Sequence, residues 1–247
     1  RAENFQPRGQ LNADSRENWG AGHPTNSFVA ELPDRSTRVI FNLSGKVLTD
    51  EKTKISDSAQ SENDSIPAKL FFNDQRKFGW IRLLKTADVA QMEFVKKLGP
   101  EPLDENPPLE QFLKNIRRHQ NSAVKAAILD QSVVAGIGNI YADESLWAAR
   151  VHPAARVKNL SDRKLEKILL SAIAVMKKSI ASGGSTMRNY IRADGSKGDY
   201  LEKFAKVFRR DGRPCPRCGR VIQKIRVAGR GTHICPNCQK MPGEKSK

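Results

Sequence analysis

The spacing of hydrophobic and polar residues changes near residue 100. Before it, the apolar residues form short runs separated by turn residues, which is typical of strands. The predicted strands are 28–32 paired with 38–41, a continuation at 42–48, and 69–72 paired with 78–84. Residues 49–67 are polar and charged, so they predict a long exposed loop. The N-terminal part of the chain is therefore expected to be rich in β-structure.

After residue 108 the apolar residues follow a helical period. The predicted helices are 109–118, 124–129, 143–150 and a longer one whose core-facing stripe runs from Leu165 to Met176. Ser161 is the expected N-cap of the long helix, and Gly183 and Gly184 are expected to end it. The chain thus predicts an α+β protein.

Composition divides this α+β chain into segments with different expected structures. We expect an irregular arm at 1–26, a β-rich, sandwich-like N-terminal domain at 27–98, a proline-bearing linker at 99–108, a helical domain at 109–205, a finger at 206–240 and a tail at 241–247. With 247 residues, the chain is long enough for separate cores.

All four cysteines of the chain fall into two Cys-x-x-Cys units. Cys215 and Cys218 are separated by sixteen residues from Cys235 and Cys238. Two short knuckles can place four thiolates tetrahedrally around one ion, whereas a bridge within one Cys-x-x-Cys unit is strained. The spacing predicts one structural zinc ion in a zinc-ribbon hairpin. Two disulfides or four idle thiols are the alternatives.

The charge of the chain indicates a polyanionic partner. The formal net charge is +16 and the sequence pI is about 9.9. Between residues 209 and 240 there are nine basic residues and a single acidic one, Asp211. A zinc-clamped hairpin with so many basic side chains suits a phosphate backbone. A solvated basic face is the simpler alternative.

A glycine-containing turn lies between the second and third predicted helices. Gly136 and Gly138 allow a tight turn whose backbone can approach a phosphate closely, and Asn139 can donate its amide there. We interpret this segment as a helix–two-turn–helix DNA-binding element. Glycine also often simply ends a helix, so the turn by itself leaves DNA contact open.

Three motifs together resemble the formamidopyrimidine-DNA glycosylases. They are Gly136 to Glu144, then Ser182 to Thr186 with Ala193 to Gly195, and the Cys-x2-Cys-x16-Cys-x2-Cys finger. The resemblance covers residues 109–240 and, more thinly, the chain from residue 28. It implies a base-excision repair enzyme that binds double-stranded DNA, excises oxidised purines such as 8-oxoguanine and formamidopyrimidines, and cleaves the abasic strand by β,δ-elimination.

The resemblance also implies which residues contact DNA. Asn139 and Lys125 correspond to positions that grip phosphates, beside Gly136 and Gly138. Arg230 corresponds to the arginine that binds the phosphates flanking the lesion and assists δ-elimination.

Three N-terminal residues resemble the group that fills the space left by a flipped base. Arg76 and Phe78 match its arginine and aromatic wedge, and Leu43 stands where the family usually has methionine. Strand core is the alternative for Leu43 and Phe78. Residues 186–200 match the segment that closes over the everted base.

The catalytic residues of the family do not match at the start of this chain. Those enzymes use an N-terminal proline, a following glutamate and a lysine, whereas this chain begins at Arg1 and has Ser27 at the position expected for the lysine. Ala30 begins an internal echo of the proline motif, but its amide nitrogen cannot attack a sugar. We expect either a fragment whose catalytic segment lies upstream or a divergent paralogue that binds lesions without excising them.

Two further alternatives concern the type of nucleic-acid binding. A ribosomal or transcriptional zinc ribbon would explain the cysteines and the charge but not residues 136–144. Endonuclease VIII relatives share the helical element and the finger but prefer oxidised pyrimidines, and the Arg76 and Phe78 pair favours the purine branch. The sequence has no apolar run long enough to span a bilayer. We therefore expect a protein that does not bind membranes. The resemblance implies a cytoplasmic, bacterial protein that acts on the nucleoid, and we expect a monomer.

Overall fold

The computed structural model describes Pro33 and residues 37–43, 68–74, 77–185 and 200–242. The chain divides into two compact units, residues 1–83 with 189–196, and residues 84–188 with 197–247. Several predicted features lie outside the described residues: the arm at 1–26, the strand at 28–32, the loop at 49–67, Arg76 and residues 186–199.

The described part of the first unit is a two-stranded antiparallel sheet. Strand β1 (Thr37–Leu43) pairs with β2 (Ala68–Asn73), with Ile40 opposite Phe71. β-branched and aromatic residues favour this pairing. The strand predicted at 38–41 is therefore confirmed. None of the described residues of this unit is buried.

The strand predicted at 78–84 is wrong, because these described residues have no regular secondary structure. Two local features turn the chain out of the sheet after β2. Lys77 adopts a left-handed backbone conformation with φ +58°, and the Asp74 carboxylate accepts the N–H of Gly79 at 2.5 Å. Residues 69–72 therefore pair with β1 and not with the predicted strand at 78–84.

The second unit is mainly helical. Its helices are α1 (Thr86–Val89), α2 (Glu93–Lys96), α3 (Leu109–Ile116), α4 (Val124–Leu129), α5 (Asn139–Ala149) and α6 (Asp162–Ala181), with 3-10 turns at Arg117–His119 and Val157–Asn159 and a π-helical turn at Tyr200–Phe204. The helices predicted at 109–118, 124–129 and around 165–176 are confirmed. Helix α5 begins four residues earlier than predicted, because Gly138 is its extended N-cap.

The ends of α6 follow the sequence prediction with one difference. Ser161 is the N-cap residue, but its side chain makes no capping hydrogen bond. Gly183 and Gly184 have φ values of +78° and +98° after the helix ends. This left-handed backbone suits glycine and terminates the helix.

The core of this unit lies between α3, α4, α5 and α6. Its fully buried side chains include Phe112, Ile116, Ile128, Leu146, Leu165, Ile168 and Leu169. Helix α5 is unusual because it also buries the acidic residues Asp143 and Glu144. Buried carboxylates require hydrogen-bond or charge partners, so α5 must offer more than an apolar face to its surroundings.

The stretch predicted as a linker, residues 99–108, packs within the second unit, which begins at Leu84. The N–H of Gly99 donates to the Gln131 carbonyl at 2.7 Å, and the N–H of Ala135 donates to the Pro100 carbonyl at 3.1 Å. A Cβ on Gly99 would lie 2.6 Å from the Val133 carbonyl carbon. Because glycine has no Cβ, the backbone at Gly99 can pack closely against the backbone at Val133.

The finger contains the second two-stranded sheet that the structure describes. Strands β3 (Gln223–Val227) and β4 (Arg230–Ile234) are antiparallel, and the turn between them consists of Ala228 and Gly229 with φ values of +48° and +76°. Positive φ at both positions matches the twist of a two-residue hairpin. Across the described residues, no helix combines the length and apolarity needed to cross a membrane.

Candidate nucleic-acid interface

The four cysteine thiols converge at the base of the finger. All four sulfurs lie within 4.8 Å of one another, with Cys218 and Cys235 3.4 Å apart and Cys215 and Cys238 4.0 Å apart. Sulfurs held about 2.3 Å from a tetrahedral ion are about 3.8 Å apart, so the cluster fits zinc. All four cysteines are free thiols. The predicted zinc ligands are therefore brought together, and the finger has the donor set for one structural zinc.

Trp147 of α5 contacts this thiol cluster, which the sequence did not indicate. Its indole N–H donates to Cys215 Sγ at 3.4 Å, and the Arg217 guanidinium lies 3.9 Å from the centre of its ring. Arg217 also donates to the Trp147 carbonyl at 3.0 Å. The C-terminal half of α5 is thus attached to the first zinc knuckle.

A buried ionic cluster attaches the middle of α5 to β4. The Asp143 carboxylate accepts the Lys125 ammonium at 2.6 Å through Oδ1, and the backbone N–H of His233 at 2.9 Å through Oδ2. The His233 ring also meets Asp143 Oδ2, at 3.1 Å through Nδ1. Residues from α4, α5 and the finger therefore share one carboxylate.

Lys125 does not lie where a phosphate-gripping residue would have to be. Its side chain has no exposed surface, and its ammonium also donates to Thr232 Oγ1 at 2.7 Å and to the Gly231 carbonyl at 3.1 Å. Burial lowers the pKa of Lys125, and the neighbouring Asp143 carboxylate acts in the opposite direction. All three ammonium hydrogens have protein acceptors, so the predicted direct phosphate contact by Lys125 is corrected to an internal role.

Asn139 and Arg230 are both next to Gly231. Asn139, the first residue of α5, donates through Nδ2 to the Gly231 carbonyl at 3.1 Å, and its Oδ1 is buried without a partner among the described residues. Arg230 is exposed and opens β4, directly before Gly231. The structure therefore brings these two predicted residues together although 91 positions separate them in the sequence.

The turn before α5 is held by Gln131, a residue that the sequence analysis missed. Gln131 Oε1 accepts the N–H of Gly136 at 2.8 Å, and its Nε2 donates to the Ile137 carbonyl at 3.2 Å. Gly136 has φ +78°, and a Cβ on Gly138 would meet no atom within 4 Å. The turn is thus fixed, and its outer side at Gly138 is open.

Glu144 joins α5 to the segment that leads into the finger. Its carboxylate accepts the backbone N–H groups of Lys206, Val207 and Phe208 at 2.8 to 3.0 Å. Burial raises the pKa of Glu144, and the three N–H donors act in the opposite direction. Together with Asn139, Asp143 and Trp147, this residue makes α5 the support of the finger.

The two predicted wedge residues that are described lie in the first unit. Leu43 is 50% exposed at the end of β1, and Phe78 is 74% exposed. Neither side chain is buried among the described residues, so neither is part of a strand core there.

Comparison with known families matches two parts of the chain. Residues 98–190 match the formamidopyrimidine-DNA glycosylase H2TH domain, and residues 212–240 match the zinc finger found in FPG and IleRS. These ranges contain α3 to α6 and the β3–β4 hairpin with its four cysteines.

Individual proteins show the same similarity over a longer range. Formamidopyrimidine-DNA glycosylases from Listeria innocua and Streptococcus pyogenes are each 42% identical over 172 and 174 residues, which is 70% and 69% of this chain. In both cases the chain spans 62% of the length of the relative.

Solved structures similar to this chain are also of Fpg proteins. The MutM (Fpg) protein from Thermus thermophilus superposes with a TM-score of 0.64 at 36% identity, covering 70% of this chain and 65% of that protein. The Lactococcus lactis Fpg bound to DNA containing an abasic site has a TM-score of 0.64 at 37% identity, covering 72% and 64%. This chain therefore has an H2TH domain and a zinc finger similar to those of the formamidopyrimidine-DNA glycosylases.

Proposed function

We propose that this protein is a base-excision repair glycosylase with lyase activity at abasic sites, and that the residues described above grip its DNA. The substrate class is double-stranded DNA with an oxidised purine or an abasic site. Two similar structures support it, the Lactococcus lactis Fpg with abasic-site DNA and MutM with DNA containing carbocyclic 8-oxo-G. The net charge of +16 also favours a polyanionic partner.

One observation carries the proposal: the start of α5 and the tip of the finger are joined at the Gly231 carbonyl. Asn139 donates to that carbonyl at 3.1 Å, and exposed Arg230 precedes it. The first backbone N–H groups of a helix have no partner within the helix, and they favour an anion. An exposed arginine directly before the residue that contacts the start of α5 can join the helix N-terminus in a site for the phosphates of one DNA strand.

Within this site the residues have different proposed roles. Gly136 and Gly138 let the backbone approach a phosphate, Asn139 orients it, and Arg230 supplies the positive charge. Arg230 also assists δ-elimination, because a guanidinium bonded to the leaving phosphate stabilises the charge that develops there. The zinc ion has a structural role and takes no part in the reaction: bound by the four cysteines, it holds the base of the hairpin that carries Arg230.

Leu43 and Phe78 are the proposed wedge residues, with Arg76. A flipped base leaves a gap in the stack, and apolar or aromatic side chains can fill it. The exposure of Leu43 and Phe78 in the described part of the first unit supports this role over that of strand core.

The binding test compares four DNA duplexes that differ in one nucleotide: an abasic analogue, 8-oxoguanine, an oxidised pyrimidine and an undamaged base. We expect affinity for the abasic duplex to exceed that for the undamaged one by about tenfold or more at fixed salt. The 8-oxoguanine duplex should bind better than the oxidised-pyrimidine duplex. Equal affinity for all four would contradict lesion recognition, and the reverse order would favour an endonuclease VIII-like preference.

The enzymatic part of the proposal is tested separately by borohydride trapping on the 8-oxoguanine duplex. A lyase that works through an imine gives a covalent adduct after reduction. Formation of the adduct supports the glycosylase and lyase activities. Tight lesion binding without an adduct would contradict these activities and favour a lesion-binding role alone.

We further propose a monomer that acts in the bacterial cytoplasm. The Listeria and Streptococcus relatives are bacterial proteins. Size-exclusion chromatography with light scattering should give one chain per particle. A dimer in the absence of DNA would contradict the proposal.

A further inference from the structure

We propose that Lys125 is a positioning residue, which sets the place of Arg230 through Thr232 and thereby controls DNA binding without touching DNA. The proposal rests on the proposed function, because it concerns the same grip on phosphates. It replaces the direct phosphate contact that the resemblance implied for Lys125 with an indirect role, and it adds Thr232, which no motif of the chain marks as part of the grip.

Two hydrogen bonds lead from Lys125 to Arg230. The Lys125 ammonium donates to Thr232 Oγ1 at 2.7 Å, and the Thr232 hydroxyl donates to the Arg230 carbonyl at 3.0 Å. Because the threonine hydroxyl has one hydrogen, accepting from Lys125 leaves that hydrogen directed to Arg230. Thr232 and Lys125 are both fully buried. The Lys125–Thr232 bond of this Lys125–Thr232–Arg230 relay is therefore buried, and the bond to the Arg230 carbonyl is partly buried.

The three residues that follow Arg230 in β4 are held by groups outside the finger. The Gly231 carbonyl and the Thr232 hydroxyl both accept hydrogen bonds from the Lys125 ammonium. The backbone N–H of His233 donates to the Asp143 carboxylate. Three successive residues are thus held by α4 and α5. Arg230 follows the turn and precedes these anchored residues, so their position determines where its guanidinium can reach.

The hairpin has two other supports that do not involve Lys125. The strands β3 and β4 pair in register, with Arg226 opposite Gly231 and Val227 opposite Arg230. The thiol cluster holds the other end of the hairpin. What Lys125 adds is the attachment of the finger tip to α5, since the Gly231 carbonyl that it contacts also accepts from Asn139 at 3.1 Å. Its loss should therefore affect the contact of Asn139 with the Gly231 carbonyl, next to Arg230, more than the folding of the finger.

The sharpest variants are a matched pair at Thr232. Thr232→Val keeps the shape and removes the hydroxyl, whereas Thr232→Ser keeps the hydroxyl and removes a methyl group. We expect Thr232→Val to weaken binding to an abasic duplex about tenfold and Thr232→Ser to stay within about twofold. Both variants should retain one zinc ion per chain. Lys125→Met should resemble Thr232→Val, and the threonine pair decides the question if Lys125→Met fails to fold.

A double-mutant cycle with Arg230→Ala tests whether the relay acts through Arg230. If it does, Thr232→Val should have little further effect on affinity in the Arg230→Ala background. The same tenfold loss in both backgrounds would overturn the proposal, because a general structural defect is additive. Wild-type affinity for Thr232→Val would also overturn it.

Hydrogen exchange without DNA keeps this test independent of the proposed function. The amides of Arg230 to Ile234 should exchange faster in Thr232→Val than in Thr232→Ser. If the wild type shows no preference for abasic DNA, the proposed function fails, and exchange alone decides the relay. Equal exchange rates in the two variants would then overturn it.

Discussion

The two antiparallel sheets in the described part of the chain are both two-stranded, yet the burial of their residues differs. In the β1–β2 sheet none of the described residues is buried, and Ile40 and Leu70 are exposed. In the β3–β4 hairpin, Val227, Thr232 and Ile234 are buried. An isolated two-stranded sheet is marginally stable in water. The finger therefore owes its order to groups outside its own ladder, the thiols at its base and the polar side chains of α5.

The difference between the two sheets shows what fixes the orientation of the finger. Four residues of helix α5 make hydrogen bonds to the finger: Asn139, Asp143, Glu144 and Trp147. Each contact uses a polar group with a defined direction, so together they fix orientation as well as distance. The described part of β1–β2 has backbone pairing and exposed apolar side chains, without a comparable set of supports.

The largest effect should come from removing the thiol support. Cys235→Ser should abolish stoichiometric zinc and unfold residues 212–240, because a structural zinc contributes about 10–16 kcal/mol of binding free energy to folding. Zinc content by mass spectrometry and hydrogen exchange of β3–β4 measure this directly. Arg220→Ala, an exposed change in the same finger, is the control. Retained zinc in Cys235→Ser would contradict the assigned ligand set.

The next effect concerns the carboxylate that joins α4, α5 and β4. Asp143→Asn has nearly the same shape but leaves the buried Lys125 ammonium without its counter-charge, so we expect a loss of about 3–5 kcal/mol in the free energy of unfolding. Urea unfolding compares it with Asp162→Asn at an exposed ion pair with Arg117, where the loss should stay below about 1 kcal/mol. Similar losses in both variants would contradict the distinction between buried support and surface pair.

Trp147 provides a smaller and more specific effect. Trp147→Phe keeps an aromatic ring but removes the N–H that donates to Cys215 Sγ, so zinc affinity should fall by about 10-fold, at the low end for residues that hydrogen-bond to metal ligands. Competition with a chelator gives the affinity. Trp80→Phe, the same substitution in the first unit, should leave the affinity unchanged. A matching loss in Trp80→Phe would show that the effect is not local to the thiol cluster.

The smallest expected change is a gain. Ala228 has φ +48° in the hairpin turn, a conformation that costs an L-residue with a Cβ about 1 kcal/mol and that asparagine tolerates better. Ala228→Asn should therefore stabilise the finger by about 0.5–1 kcal/mol in thermal unfolding. Ala174→Asn on the exposed face of α6 should have the opposite sign. Destabilisation by Ala228→Asn would argue against this turn geometry.

Local patterns predicted much of this structure. The 3.6-residue period located α3, α4 and α6, and the cysteine spacing located the zinc ligands, since both signals are carried by residues close together in the sequence. The strand expected at 78–84 failed for a local reason as well. Its apolar residues suggested a strand, but Asp74 and Lys77 turn the chain away before it.

The supports of the finger could not be predicted in the same way. Lys125 meets Asp143 across 18 positions and Thr232 across 107, and nothing in the sequence around Lys125 distinguishes a buried ammonium from an exposed one. Glu144 belongs to the motif from Gly136 to Glu144, but the three backbone N–H groups that bind its carboxylate lie 62 to 64 positions away in the sequence. Partners of buried charges are decided by tertiary structure, which a single sequence does not display.

The central claim is that the tip of the finger and the start of α5 together grip DNA phosphates. The most direct measurement is the salt dependence of affinity for an abasic duplex, with Arg230→Ala compared with Arg220→Ala, which removes the same charge at the opposite end of the hairpin. We predict that Arg230→Ala weakens binding and reduces the slope of log K against log salt by about 1, while Arg220→Ala leaves the slope unchanged. Equal slopes for Arg230→Ala and the wild type would contradict the claim.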